Sequence, residues 1–239
     1  MKASNPPVVL LLDNPIWSAL TTGQAQLAQG GSLAKRFPSD VAPFAAMPDQ
    51  SVAAYQALEE TLSGDVAALF LDAPPVLPAD WSTVHSGEMY QMVFEAPPPA
   101  EPNLSLRTLS VADIPEMLAL TKLTEPGPFL PRTIQLGAYY GVHESGLLVA
   151  MAGERLKLTG YTEVSAVCTH PDYRGRGYGH ALMSAVMAGI TNRGETPFLH
   201  VRTENPALHL YQKLGFRLRA KLHLAVIKSG HPQPSYNQQ

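Results

Sequence analysis

The stretch Val164-Ser165-Ala166-Val167-Cys168-Thr169-His170-Pro171-Asp172-Tyr173-Arg174-Gly175-Arg176-Gly177-Tyr178-Gly179-His180 begins as an apolar strand, turns on three glycines and opens into a helix. Gly175, Gly177 and Gly179 remove side chains where the backbone must come close to a ligand. The helix entered there offers unpaired amides and the positive end of its dipole. Such a place binds phosphate, and the guanidinium groups of Arg174 and Arg176 match phosphate oxygens in geometry. Taken alone, the turn also fits an ordinary strand-to-helix connection. It does not match the dinucleotide fingerprint, since the second and third glycines stand too close and no acidic residue follows on a strand about 20 residues on. No Gly-Lys-Ser or Gly-Lys-Thr triplet is present for an ATP loop.

Working outward, apolar periodicity predicts a helix over 177–193, a strand over 196–202, a second helix over 205–214 and a final pair of strands over 216–228. Upstream, Leu104 to Leu109 reads as a strand. Ser110 with Asp113 caps a helix that buries Ile114, Met117 and Leu118. Ala138–Val142 and Leu147–Leu158 form strands around a turn at His143–Gly146, and Glu163–Thr169 is another. The predicted order is βαβββαβαββ.

Arg174-x-x-Gly177-x-Gly179 resembles the pyrophosphate-binding motif of the GNAT superfamily of N-acetyltransferases. Asn205-Pro206-Ala207-Leu208-His209-Leu210-Tyr211-Gln212-Lys213-Leu214-Gly215-Phe216 resembles that family's late helix, which ends in a Leu-Gly-Phe turn. The likeness covers roughly half the chain. Pro126-Gly127-Pro128 and Thr203-Glu204-Asn205 are most similar to the glycine N-acyltransferase-like branch.

The resemblance implies an α/β (α+β) fold with a mixed, splayed sheet flanked by helices, and transfer of an acyl group from acetyl-CoA to a primary amine without a metal. It places the cofactor against Val167, Cys168, Thr169, Arg174, Gly175, Arg176, Gly177, Tyr178, Gly179, His180, Asn205 and Tyr211. The Val167 amide is implied as the oxyanion donor and Tyr211 as the general acid for the leaving thiolate. Glu163 stands where some members hold a carboxylate that draws the amine's proton away through water. Its other reading is a glutamate at the start of a strand. Strand alternation puts Glu163 and Val167 on one side unless a bulge intervenes.

For Tyr211, core packing on the face shared with Ala207 and Leu214 is the plain alternative. Asn205 suits an N-cap before a proline at the first helical position. Cys168 has no histidine partner in the strand, so it reads as a small packed residue, which argues against a ping-pong route. The loop from Thr124 to Arg132 and the turn near His143 are expected to line the acceptor pocket. The rival from another class is a non-catalytic acyl-CoA sensor.

Ala96-Pro97-Pro98-Pro99-Ala100-Glu101-Pro102 cannot continue a helix and favours an extended connector. It suggests a linker over 96–102 between an N-terminal α/β domain (1–95) and the acyltransferase domain (103–230), with a flexible tail over 231–239. In the first part, Val8–Leu12 and Ala67–Leu71 look like buried strands and Ser51–Leu62 like a helix. Asp13, Trp17 and His85 are separated singles with structural roles. The N-terminal part could be a degenerate copy of the same fold.

The 239 residues carry 17 basic and 20 acidic side chains, a net charge of −3. Residues 1–150 hold 6 basic and 15 acidic groups, whereas residues 151–239 hold 11 and 5. A locally basic second part suits a small polyanion. It lacks the dense Lys and Arg of a nucleic-acid surface. No apolar run reaches the ~20 residues that cross a bilayer. Met1–Pro7 lacks the features of a secretory signal, so a cytoplasmic monomer or homodimer is expected. A single cysteine excludes an intrachain disulfide and a cysteine-cluster metal site.

Overall fold

The computed structural model describes residues 9–62, 64–97 and 104–230; prolines 98, 99 and 102 of the connector and the tail 231–239 lie outside them. The elements run α1 (Val9–Asp13), α2 (Pro15–Thr21), β1 (Gln29–Gly30), β2 (Lys35–Arg36), β3 (Ala45–Ala46), α3 (Val52–Leu62), β4 (Ala67–Leu71), β5 (Trp81–Phe94) and β6 (Arg107–Thr108). They continue with α4 (Ile114–Thr124), β7 (Tyr139–Glu144), β8 (Leu147–Leu158), β9 (Tyr161–Thr169), α5 (Tyr178–Asn192), β10 (Thr196–Arg202), α6 (Leu208–Lys213) and β11 (Phe216–Ser229).

The run expected as a strand at Val8–Leu12 is helical over Val9–Asp13. So short an apolar run carries no period to separate strand from helix. The next helix starts at once, because the Asn14 side chain accepts from the Trp17 amide and Pro15 takes the first helical position. Ser110 and Asp113 form a reciprocal capping box that starts a 3-10 turn, Val111–Asp113, which runs directly into α4. That helix buries Met117, Leu120 and Thr121, while Ile114 and Leu118 are half-buried.

Eight strands form one sheet in the order β4-β11-β5-β10-β9-β8-β7-β6. Every neighbouring pair is antiparallel except β9 and β10. That parallel pair needs a crossover, and α5 supplies it. The final pair of strands expected over 216–228 is one long strand, β11, with a register shift between Leu218 and Ala220. A bulge bends a strand without ending it, so the polar residues around it mimic a turn in the sequence.

β5 has no counterpart among the sequence-read elements, yet it lies between β10 and β11 and pairs along most of β11. The residues before the proline connector therefore share one sheet with those after it. The strands β1, β2 and β3 make a separate small antiparallel sheet. The N-terminal order ααβββαββ does not repeat the order after residue 104.

One side of the central strands packs on α5 and α6 through Leu182, Met183, Val186, Met187, Ile190 and Tyr211. The other side packs on α2 through Ile16, Ala19 and Leu20 with Phe198 and Leu156, and on α4 through Met117 and Leu120. Each such fully buried side chain contributes on the order of 1.5–3 kcal/mol. Among the described residues no helix is long and apolar enough to cross a membrane.

Candidate functional site

β9 and β10 pair at only three positions, Thr196↔Tyr161, Pro197↔Thr162 and Phe198↔Glu163, and then part. Each arm stays anchored on its outer side. β10 runs on against β5 to Arg202↔Met89, and β9 against β8 to Ala150↔Thr169. The inner edges beyond Glu163 and Phe198 therefore present free main-chain groups to whatever enters the fork.

Within β9, Cys168 faces Met151 and Ser165 faces Gly153, so Ala166 and Val167 oppose the single residue Ala152. This is a β-bulge, and Ala166 takes the left-handed φ of 53° within it. It reverses the alternation. Val164 and Val167 both pack toward α5, while Ala166 and Cys168 face the α4 side. Glu163 and Val167 consequently do not share a side, as unbroken alternation would have required.

At the end of β9 the chain turns through Gly175 (φ 77°) and Gly177 (φ 80°), conformations that exclude most side chains. A β-carbon at either would meet nothing within 4 Å, so the space over the turn is open. Among the described residues the amides of Gly175 to His180 have no acceptor, and the first turn of α5 can supply none. The turn thus fits a diphosphate. Arg174 reaches back to the Thr169 carbonyl at 3.4 Å, and Arg176 lies over the Tyr173 ring at 4.8 Å. Tyr178 points inward and donates its hydroxyl to Glu144 at 2.5 Å, leaving its amide at the turn; His180 is exposed.

A cavity of about 770 Å³ fills the fork. Val167, Cys168, Thr169, Arg174, Gly179, Asn205 and Tyr211 line it, and Gly175, Arg176, Gly177, Tyr178 and His180 sit on the adjoining turn. Asn205 accepts from the Ala207 amide at 2.8 Å, which starts the turn leading into α6. Residues Thr124 to Pro128 also line the cavity. The turn at His143 does not, and His143 is engaged with Arg107 and Glu116.

Tyr211 is buried against Phe216, and among the described residues its hydroxyl has no hydrogen-bond partner. Burial pushes its pKa up to about 12, so the phenol stays protonated across the neutral range. Burial likewise raises the Cys168 thiol to about 11, which removes its thiolate at neutral pH.

Glu163 lies behind the cavity wall, fully buried, and both of its oxygens are engaged. Arg155 grips it twice, Nε to Oε2 at 2.8 Å and Nη2 to Oε1 at 2.6 Å, and His200 Nδ1 meets Oε1 at 2.7 Å. Burial alone would raise its pKa. The Arg155 guanidinium, with His200, outweighs that and holds the carboxyl down at about 2. On the far side of the ring, His200 Nε2 is 3.1 Å from Gln91 Nε2. That amide also donates to the Leu12 carbonyl, and its oxygen accepts from Arg219. The amide orientation is therefore set, so His200 accepts at Nε2 and donates from Nδ1. Arg155, His200 and Gln91 carry no motif in the sequence. Only register across β8, β10 and β5 brings Arg155 and His200 to Glu163 and Gln91 to His200.

Residues 139–224 match the FR47-like protein family. A GNAT-family protein from Novosphingobium aromaticivorans DSM 12444, assigned as an acetyltransferase, is 35% identical and superposes with a TM-score of 0.86 over 92% of this chain and 99% of its own. The GCN5-related N-acetyltransferase of Kribbella flavida shares the fold at 16% identity, with a TM-score of 0.62 over 93% of this chain and 96% of its own. One from Sphaerobacter thermophilus does so at 14% identity and 0.50, over 82% and 75%. No curated protein matches the sequence. The chain belongs to the GNAT family of acetyltransferases. Its fold supports acyl-CoA-dependent acetyl transfer, and acceptors of this class are amines.

Proposed function

We propose that the chain transfers an acetyl group from acetyl-CoA directly to a primary amine while both are bound. The observation that carries this reading is the single cavity at which the parted β9 and β10, the open glycine turn and the Tyr211 hydroxyl meet. Amides from Gly175 to His180, with Arg174, hold the diphosphate. The inner edge of β9 from Val167 to Thr169 pairs with the pantetheine arm, as an added strand would.

The amine nitrogen forms a bond to the thioester carbon, the Val167 amide steadies the charge on the carbonyl oxygen, and the carbon–sulfur bond breaks. Its electron pair stays on sulfur, which takes the Tyr211 proton, while the amine's surplus proton leaves to water and solvent restores the phenol. A thiolate held in the same buried cavity is itself made more basic by desolvation, which matches it to a raised phenol. Glu163 takes a positioning role, since a carboxyl with a pKa of about 2 and both oxygens engaged is a poor base near neutral pH. With the thiol of Cys168 held protonated, no acyl-enzyme is invoked. The likeness to the glycine N-acyltransferase-like branch rests on Pro126-Gly127-Pro128 and Thr203-Glu204-Asn205, of which the first three and Asn205 line the cavity.

The test is release of CoA thiol from acetyl-CoA on a panel of amines, with initial rates at varied concentrations of both substrates. Intersecting rate plots support a ternary complex. Parallel plots, or tight acetyl-CoA binding with no release on any amine, overturn it.

A further inference from the structure

The cavity is not confined to the side on which α5 and α6 lie. Val164, Val167, Leu199, Val201 and Tyr211 face that side. Phe44, Phe70, Met89, Leu224 and Val226 also line the cavity, and they belong to the core on the α2 side. The void therefore passes through the fork, and its second compartment is walled by residues whose positions depend on β4, β5 and β11. Phe44 and Phe70 meet edge to face at 5.3 Å, and Phe70 lies 4.7 Å from the His200 ring.

We infer that this second compartment is the acceptor site and that it takes a small primary amine on an apolar, aromatic-sized body with no second positive charge. The inference rests on the acetyl-transfer reading above. Apart from His85 and Arg155 its walls are aromatic and aliphatic, which suits an apolar body. Among the described residues Glu125 is the only carboxylate in the lining, against the arginines Arg155, Arg174 and Arg202. Arg155 is committed to Glu163 and to the faces of Phe44, at 4.9 Å, and Phe70, at 5.9 Å. A polyamine or a lysine-rich peptide would bring several ammonium groups to a lining that offers one carboxylate counter-charge, so the others would be desolvated without a partner. Each methylene-sized apolar contact in such a pocket is worth roughly 10- to 200-fold, so an apolar body is favoured over a charged chain.

The experiment uses the full chain with acetyl-CoA and follows thiol release on phenethylamine, spermidine and a lysine-containing peptide. In parallel, calorimetry titrates each amine into the protein saturated with CoA. Phenethylamine is expected to bind and to exceed the other two in kcat/KM by about tenfold or more. Equal or better turnover of spermidine or the peptide overturns the inference. Binding of phenethylamine without thiol release keeps the acceptor site but sinks the transfer reading. Failure of phenethylamine to bind sinks the acceptor assignment alone, provided another amine is turned over. Phe70→Leu, which removes the ring but keeps the wall apolar, is expected to raise KM for phenethylamine about tenfold while acetyl-CoA affinity stays within about twofold. An unchanged KM with intact acetyl-CoA binding counts against the compartment, and the wild-type panel decides if the variant fails to fold.

Discussion

The Glu163 carboxylate meets the His200 ring at 2.7 Å across the gap where β9 and β10 stop pairing. Glu163 stands at the last paired rung, opposite Phe198, and His200 is two residues further along β10. Arg155 from β8 closes the other side of the carboxylate. A buried polar chain thus ties three strands together at the crotch of the fork, where backbone pairing has ended.

Glu163→Gln should weaken the fold far more than the chemistry. It leaves the Arg155 guanidinium buried without a counter-charge, a loss of roughly 3–5 kcal/mol. Denaturant unfolding measures this. If Glu163 positions rather than takes the proton, the residual kcat keeps the wild-type pH profile. A rising limb displaced or lost in the variant would restore Glu163 as the base.

The same carboxylate makes stability depend on acid. Its folded pKa is depressed from 4.5 to about 2, so its contribution is complete above pH 4.5 and falls away as pH drops toward 2. The lost stability is on the order of 3 kcal/mol. Thermal melts between pH 6 and pH 2, on the wild type and Glu163→Gln, test it: the variant is expected to show a shallower decline in that window.

Tyr211→Phe removes the proposed proton donor and little volume. Turnover is expected to fall by about 10²- to 10⁴-fold, with acetyl-CoA affinity unchanged by calorimetry. Because the phenol is raised to about 12, a donor role for it predicts a wild-type rate with no alkaline decline below about pH 11. A decline near pH 9 would point to a different donor.

Gly177→Ala places a methyl group on a left-handed residue, at a cost of roughly 1–2 kcal/mol. The methyl meets no protein atom within 4 Å, so it projects into the open space over the turn. Acetyl-CoA affinity is expected to fall about tenfold or more, beyond what the change in melting temperature explains. Unaltered affinity would move the diphosphate elsewhere.

Much of the second half was legible in the sequence. β8 occupies the range read from its apolar run, α5 and β10 lie within a residue of theirs, and the glycine turn announces itself because only glycine tolerates those backbone angles next to a close ligand. Such local signals depend on a few neighbouring residues. β5 was not read, since its exposed stretch through Glu88 breaks the alternation, and its insertion between β10 and β11 is a long-range pairing that no local pattern encodes. The bulge at Ala166 reversed an alternation the sequence presents as continuous.

The residues themselves determined a strand, a phosphate-fit turn and a late helix bearing Tyr211, because each follows from propensities and spacing within one segment. Only the tertiary structure decided that Glu163 is locked beneath the fork, that the cavity crosses the sheet, and that N-terminal residues wall its far side. Those outcomes depend on register between strands far apart in the chain, set by the burial of shared apolar faces rather than by any segment alone.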